Sequence, residues 1–156
     1  MTIGANGINV YEQLKNASLI NVGLEGSYKF CKEWALSGKT SYRRGTSDNN
    51  LDLPFIQPFS YGTTLSFKHK FLTLSTAIEG AVKQRNFSSE FGETASSAYT
   101  IVNVVASYQF EFGQKNLVLK TGVENLFNRY YSTFADWNRI PRMGRNVFFN
   151  LILNLL

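Results

Sequence analysis

Sulfur and imidazole are nearly missing from this sequence: its 156 residues contain one cysteine, Cys31, and one histidine, His69. A lone cysteine excludes an intrachain disulfide, and a lone histidine with no second His or Cys beside it offers no metal-ligand spacing. No Ser/His/Asp set is apparent either, so the chain reads as a non-enzyme with neither metal nor cofactor. Long hydrophobic runs are also missing. Nothing approaches the ~18–20 apolar residues of a membrane helix, and the opening MTIGANGINV has neither the charged head nor the apolar core of a signal peptide. Proline occurs 3 times against 12 glycines and 15% aromatics, a balance of ordered, strand-rich chains rather than disordered ones. The net charge of +5 is scattered, its densest group (Arg139, Arg142, Arg145) falling in one loop, whereas a nucleic-acid binder gathers its cations on a face.

What the sequence does have is period-two alternation, the mark of strands with two unlike faces. From residue 117 on, Leu117, Leu119, Thr121 and Val123 oppose Val118, Lys120, Gly122 and Glu124. Val102, Val104, Ala106, Tyr108, Phe110 and Phe112 oppose Asn103, Val105, Ser107, Gln109 and Glu111. The same split recurs over residues 20–30, 34–43 and 72–85, and a weaker strand at 61–70 and a last one at 147–155 bring the number to seven. A partial strand or loop at 9–14 precedes them. Short connections near 31–33, 69–71 and 113–116 alternate with long ones over 44–59, 86–98 and 128–144, which describes an antiparallel up-and-down meander with unlike ends.

Aromatics sit at the strand ends. Phe30, Trp34, Phe71, Phe110 and Phe112 flank the short turns, while Tyr42, Tyr61, Phe87, Tyr99 and Tyr131 lie toward the long loops. Two aromatic bands around an apolar belt suit a transmembrane β-barrel, whose rings settle at the lipid headgroups. A soluble barrel with its apolar face inward is the competing arrangement, but it predicts short loops at both ends. Strands of about ten residues and one-sided loops favour the membrane form. The charged alternates Glu25, Lys39, Glu79, Lys83, Lys120 and Glu124 are then expected to face the lumen, pairing across strands or holding whatever fills it.

The stretch GVENLFNRYY and the later IPRMGRN, followed by an alternating strand, resemble the C-terminal end of TonB-dependent outer-membrane receptors. Val123, Asn125, Leu126, Phe127, Asn128 and Tyr131 match the first part of that motif pair, Gly144 and Arg145 the second. NASLINVGLEGSYKF, LDLPFIQPF and FGETASSAYTIVNV resemble upstream signatures, with Gln57 standing where the family has the first of paired prolines, so the resemblance covers nearly the whole chain. It implies residence in the bacterial outer membrane, among lipid and lipopolysaccharide. It also implies active uptake of a scarce nutrient, an iron-siderophore complex first, with cobalamin, another metal complex or a glycan as alternatives. Tyr130, Tyr131, Phe134, Trp137 and Arg139 in the last long loop are the candidates for touching a metal chelate, since aromatic faces and guanidinium groups suit flat anionic ligands. A headgroup girdle is the bland reading of the same residues, and a strand-end cap that of Asn125 and Asn128.

Two departures stand out. The family ends on an aromatic residue, whereas here Leu155 takes that position and Leu156 follows it. The family also closes about 22 strands around a plug. Residues 1–156 are therefore expected to be the C-terminal seven or eight strands of a larger barrel, with plug and signal peptide absent and TonB reached only indirectly. A complete small eight-stranded barrel with a structural or adhesive role, using residues 9–14 as its extra strand, is the alternative.

Overall fold

The computed structural model describes residues 2–3, 9–10, 13, 15–47, 50–113 and 115–154. One seven-stranded antiparallel sheet dominates, in the order β3-β4-β5-β6-β7-β8-β9. Its strands are β3 (Ala17–Lys29), β4 (Trp34–Ser47), β5 (Ser60–His69), β6 (Leu72–Ala81), β7 (Tyr99–Phe112), β8 (Lys115–Glu124) and β9 (Asn146–Asn154). Every neighbour in the sheet is also the next strand in the chain, so the topology is the plain meander that alternating short and long connections require. Ahead of it, β1 (Thr2–Ile3) and β2 (Asn9–Val10) form a separate two-stranded pair among the described residues. The extra strand sought over residues 9–14 is thus not part of the sheet at Asn9–Val10, and residues 11, 12 and 14 lie outside the described set.

Register decides which side chains share a face. Leu74 pairs with Phe67 and Ala106, Ala106 with Thr121, and Thr121 with Phe149, so one apolar row crosses the sheet from β5 to β9. Farther along the strands, Val22 opposes Tyr42 and Ile78 lies between Thr63 and Val102 on that same face. The opposite face carries Glu25 paired with Lys39, then Gly62, Glu79 and Ile101 in sequence across the sheet. A shift of one residue in any strand would swap the faces, so their consistency over seven strands fixes the register.

Nothing among the described residues covers the apolar face. Among the described residues the buried apolar side chains are Ala81 and Ile101, whereas Leu24 is 74% and Phe149 67% exposed. Leaving a side chain of this size in water forgoes about 1.5–3 kcal/mol, and more than a dozen sit on that face, so water would oppose this sheet by tens of kcal/mol. Hydrocarbon removes the problem. Near the short turns the face bears a belt of rings: Tyr28, Phe30, Trp34 and Phe67 adjoin in series, as do Phe71, Tyr108, Phe110 and Phe112, with centroids 4.6–6.5 Å apart. The second belt is thinner than the sequence suggests. Tyr42 and Tyr61 join it, but Tyr99 turns to the polar face and stacks on Tyr131 at 4.7 Å.

Strand ends differ from the sequence reading in one informative place. The alternation over 72–85 predicts a strand to Arg85, yet β6 stops at Ala81. Beyond it Gln84 turns inward, 1% exposed, donating to the Ile56 carbonyl and the Glu93 carboxylate and accepting from Ser96. Buried amide groups must find partners, and here the loops supply them in place of a strand ladder. Gly80, next to this end, is needed for close approach: a Cβ there would collide with the Tyr99 carbonyl and sit 2.8 Å from the Tyr61 hydroxyl, which bonds Thr100 at 2.6 Å. Gly80→Ala is expected to cost about 1–3 kcal/mol by forcing β6 and β7 apart, read as a lower midpoint in denaturant titration of the barrel in lipid.

Among the described residues, no strand lies on the outer side of β3 or of β9. Unpaired backbone amides are expensive in hydrocarbon.

Candidate site beneath the last outer loop

The chain leaves β8 through two asparagines whose backbones are left-handed, Asn125 at φ 49° and Asn128 at φ 52°. Asparagine tolerates that conformation because its short amide bonds locally. Asn125, 3% exposed, does so fully: its Oδ1 accepts from the Arg129 amide at 2.7 Å, and its Nδ2 donates to the carbonyls of Arg129 (2.8 Å) and Met143 (3.3 Å). Its own amide donates to Asn103 Oδ1 at 2.9 Å, tying the loop to β7. Asn128 Oδ1 accepts from the Arg145 amide at 2.9 Å, and Gly144 lies so close that a Cβ would strike that oxygen. The matched residues Asn125, Asn128, Gly144 and Arg145 therefore form one closure joining the loop's two ends. Leu126 extends the ladder through its amide to the Val102 carbonyl at 2.8 Å, Val123 pairs with Val147, and Phe127 is 73% exposed at the rim.

Beyond the closure, the loop is held by an ion pair. Asp136 accepts from Arg142 Nη2 at 2.9 Å and Nε at 3.0 Å, a two-pronged geometry, and also from the Thr133 amide and hydroxyl. Arg142 in turn holds the Asp136 carboxyl below its ordinary range, while the guanidinium is raised. A lowered carboxyl pKa gives a contribution that is full above the ordinary carboxylate range and disappears as pH falls through the lowered value. Amide-exchange protection over residues 133–142 is therefore expected to be unchanged between pH 7 and pH 5, and to fall only below the model-compound value of 3.8. Asp136→Asn should flatten that profile.

Between this loop and the polar face of the sheet lies a cavity of about 630 Å³, lined by Glu79, Asn103, Glu124, Tyr131, Asp136, Arg142 and their neighbours. Asn103 Nδ2 donates to Glu79 at 2.7 Å and Asn146 Nδ2 to Glu124 at 3.1 Å. Burial pushes the Tyr131 phenol up, keeping its hydroxyl a donor. Three carboxylates face one guanidinium, so the chamber accepts hydrogen-bond donors and cationic groups, with Tyr131, itself stacked on Tyr99, as its aromatic wall.

Of the loop residues singled out in the sequence, Tyr131 lines this cavity. Tyr130 is 80% exposed, Phe134 is half-buried elsewhere in the loop, and Trp137 opens the 3-10 turn Trp137–Arg139. Arg139 is engaged by Thr94 Oγ1 at 3.0 Å and the Thr133 carbonyl at 3.1 Å. Of the charged alternates, Glu25, Lys39, Glu79, Lys120 and Glu124 share the polar face, and Lys83 lies beyond the end of β6. Asp136 and Arg142 escaped the sequence reading. The Thr133-x-x-Asp136 spacing, a side-chain-to-amide turn pattern, was the available signal.

No family model matches the chain. It is 28% identical over 130 residues to Hemoglobin-binding protein A of Haemophilus influenzae, an alignment covering 74% of this chain and 12% of that protein. Among solved structures it superposes on the Copper transporter OprC with a TM-score of 0.77 at 19% identity, over 85% of this chain and 22% of that one. For the ferric yersiniabactin uptake receptor FyuA from Yersinia pestis the TM-score is 0.65 at 21% identity, over 89% and 24%. The chain thus spans between 12% and 24% of the length of these proteins. Sequence motifs, registered faces and fold converge: the chain has the fold of a stretch of transmembrane β-barrel wall like those of the copper transporter and the ferric yersiniabactin uptake receptor.

Proposed function

We propose that residues 1–156 are the C-terminal part of a larger transmembrane barrel that takes up a scarce nutrient, an iron-siderophore complex foremost, across the outer membrane. The observation that carries this reading is the two-faced sheet whose edges are both unpaired among the described residues, which lipid tolerates only inside a closed wall. The names of the similar proteins support a metal-containing cargo, since they speak of copper, ferric yersiniabactin and hemoglobin. Cobalamin, another metal complex or a glycan remains the competing cargo. The segment is passive wall and outer loop, with no catalytic role.

In this reading the polar face looks into the lumen. Glu79 and Glu124, each already accepting one amide hydrogen, keep carboxylate oxygens free for cationic side chains of the plug, and TonB acts on that plug rather than on this wall. Tyr131, and through the loop Tyr130, Phe134, Trp137 and Arg139, form the outer mouth where a chelate first meets the protein. Deleting the gene that encodes this chain is expected to abolish iron-limited growth on one ferric chelate or haem source while sparing growth on abundant iron salts. Unimpaired growth on every iron, copper and cobalamin source would refute the uptake role.

A further inference from the structure

Phe55 combines two costs: its backbone is left-handed, at φ 59°, and its ring is 63% exposed. A bulky side chain rarely holds that conformation, and such strain persists only where the surroundings impose it. Here they do. The Phe55 amide donates to Glu93 Oε1 at 3.1 Å, and the same carboxylate accepts from Gln84 Nε2 at 3.3 Å and from the Ser88 amide at 2.9 Å. On the other flank, the Ile56 carbonyl accepts from Gln84, which is buried and tied to Ser96. Asn86 Nδ2 adds a brace to the Asp52 carboxylate at 3.2 Å. The loop after β4 is thereby fastened to the loop after β6 around one residue whose ring is left outside.

This loop lies on the polar side of the sheet. Gly45 follows Lys39, Ser41 and Arg43 along the polar face of β4, and a Cβ there would sit 2.9 Å from both Leu53 and Ile56. Beside Ile56 opens a slot of about 370 Å³ that Arg43, Lys83 and Arg85 also line, with no carboxylate. Arg43 donates through Nε to Asn21 on the same face at 3.3 Å, and Lys83 and Arg85 continue the polar alternates Glu79 and Ala81 past the end of β6. The ion pair among the described residues is Arg142 with Asp136, so none of these three cations has an acidic partner there.

We infer that Phe55 is a cargo-contact residue and Glu93 its positioning residue: the fixed ring stacks on a flat aromatic part of the cargo, while Arg43, Lys83 and Arg85 take acidic groups at its edge. The cargo class is then a metal chelate built on aromatic rings that carry acidic groups. A loop that merely turned the chain would be better served by glycine or asparagine, which adopt this backbone at little cost. A ring fixed in advance loses little freedom on binding, and offset stacking rewards a flat partner over an aliphatic one. The inference rests on the uptake reading above and narrows its cargo.

The test uses the full-length protein containing this chain in detergent, titrated calorimetrically with four probes: a ferric tris-catecholate, haemin, a ferric trihydroxamate and cyanocobalamin. The wild-type protein is expected to bind one of the first two, and Phe55→Asn to raise that Kd roughly tenfold. Because asparagine suits the left-handed backbone, the same variant should keep or raise the thermal midpoint, so the loss cannot be put down to misfolding. Phe55→Trp should bind as the wild type does. Glu93→Ala should weaken binding in the wild-type background and add nothing in the Phe55→Asn background, whereas a merely structural carboxylate would weaken both alike. An unchanged Kd in Phe55→Asn, or a wild-type protein that takes only the trihydroxamate or cyanocobalamin, would overturn the assignment while leaving the uptake reading in place. Binding of none of the four would count against both.

Discussion

Asn125→Ala is expected to release the last outer loop and to lower the stability of the barrel's upper rim by roughly 3 kcal/mol. Two contributions add. The amide makes three bonds from a site that is 3% exposed, and truncation leaves the Arg129 amide and the Arg129 and Met143 carbonyls with no replacement partner, a loss of about 1–3 kcal/mol. Alanine must also adopt the left-handed backbone at φ 49°, which costs an ordinary residue roughly 1–2 kcal/mol. Asn125→Asp retains the acceptor for the Arg129 amide but loses both donations, so it should fall between wild type and alanine. Hydrogen exchange over residues 129–145 and the thermal midpoint in detergent are the readouts. An alanine variant with native protection there would show that the loop is held by the Asp136–Arg142 pair alone.

The same residues show what was legible beforehand. The strands were readable because each needs only a local rule, alternation, and register then followed from keeping every apolar residue on one side. The weak pattern over 61–70 became a full strand, Ser60–His69, because its neighbours on both sides supplied the ladder. The overrun of β6 had the opposite cause: Lys83 and Arg85 fit the alternation, but the buried Gln84 amide bonded to Ile56, Glu93 and Ser96 outweighs continued pairing. Asn125 and Asn128 were readable as strand-end asparagines, and their closure with Gly144 and Arg145 spans the whole loop. The cavity was not readable. Glu79 lies on β6, Glu124 on β8 and Asp136 in the loop, and their meeting depends on how far the loop folds back over the sheet. For the same reason the sequence favoured Tyr130 over Arg142, since aromatic content is visible in a string and an inward fold is not.

Val104→Arg and Val105→Arg should differ more than any other pair of adjacent substitutions in the chain. Both valines sit in the middle of β7, a strand paired on each side, and both are half-buried, so size change and strand propensity cancel between them. Val104 lies between Thr76 and Val123 on the apolar face; Val105 lies between Ser75 and Gly122 on the polar one. An arginine facing lipid near the bilayer midplane costs about 2–4 kcal/mol, whereas one facing a wet lumen is tolerated. The folded-to-unfolded ratio of the barrel in phosphatidylcholine vesicles, titrated with guanidinium, is therefore expected to drop by between roughly 30-fold and 1000-fold for Val104→Arg. For Val105→Arg the drop should stay within about fivefold, since the new side chain faces the lumen beside Gly122, over which the Phe148 ring lies. Equal losses would mean that neither face meets hydrocarbon. A larger loss at Val105 would turn the sheet inside out, placing Glu79 and Glu124 in lipid, where ionisable side chains are expensive.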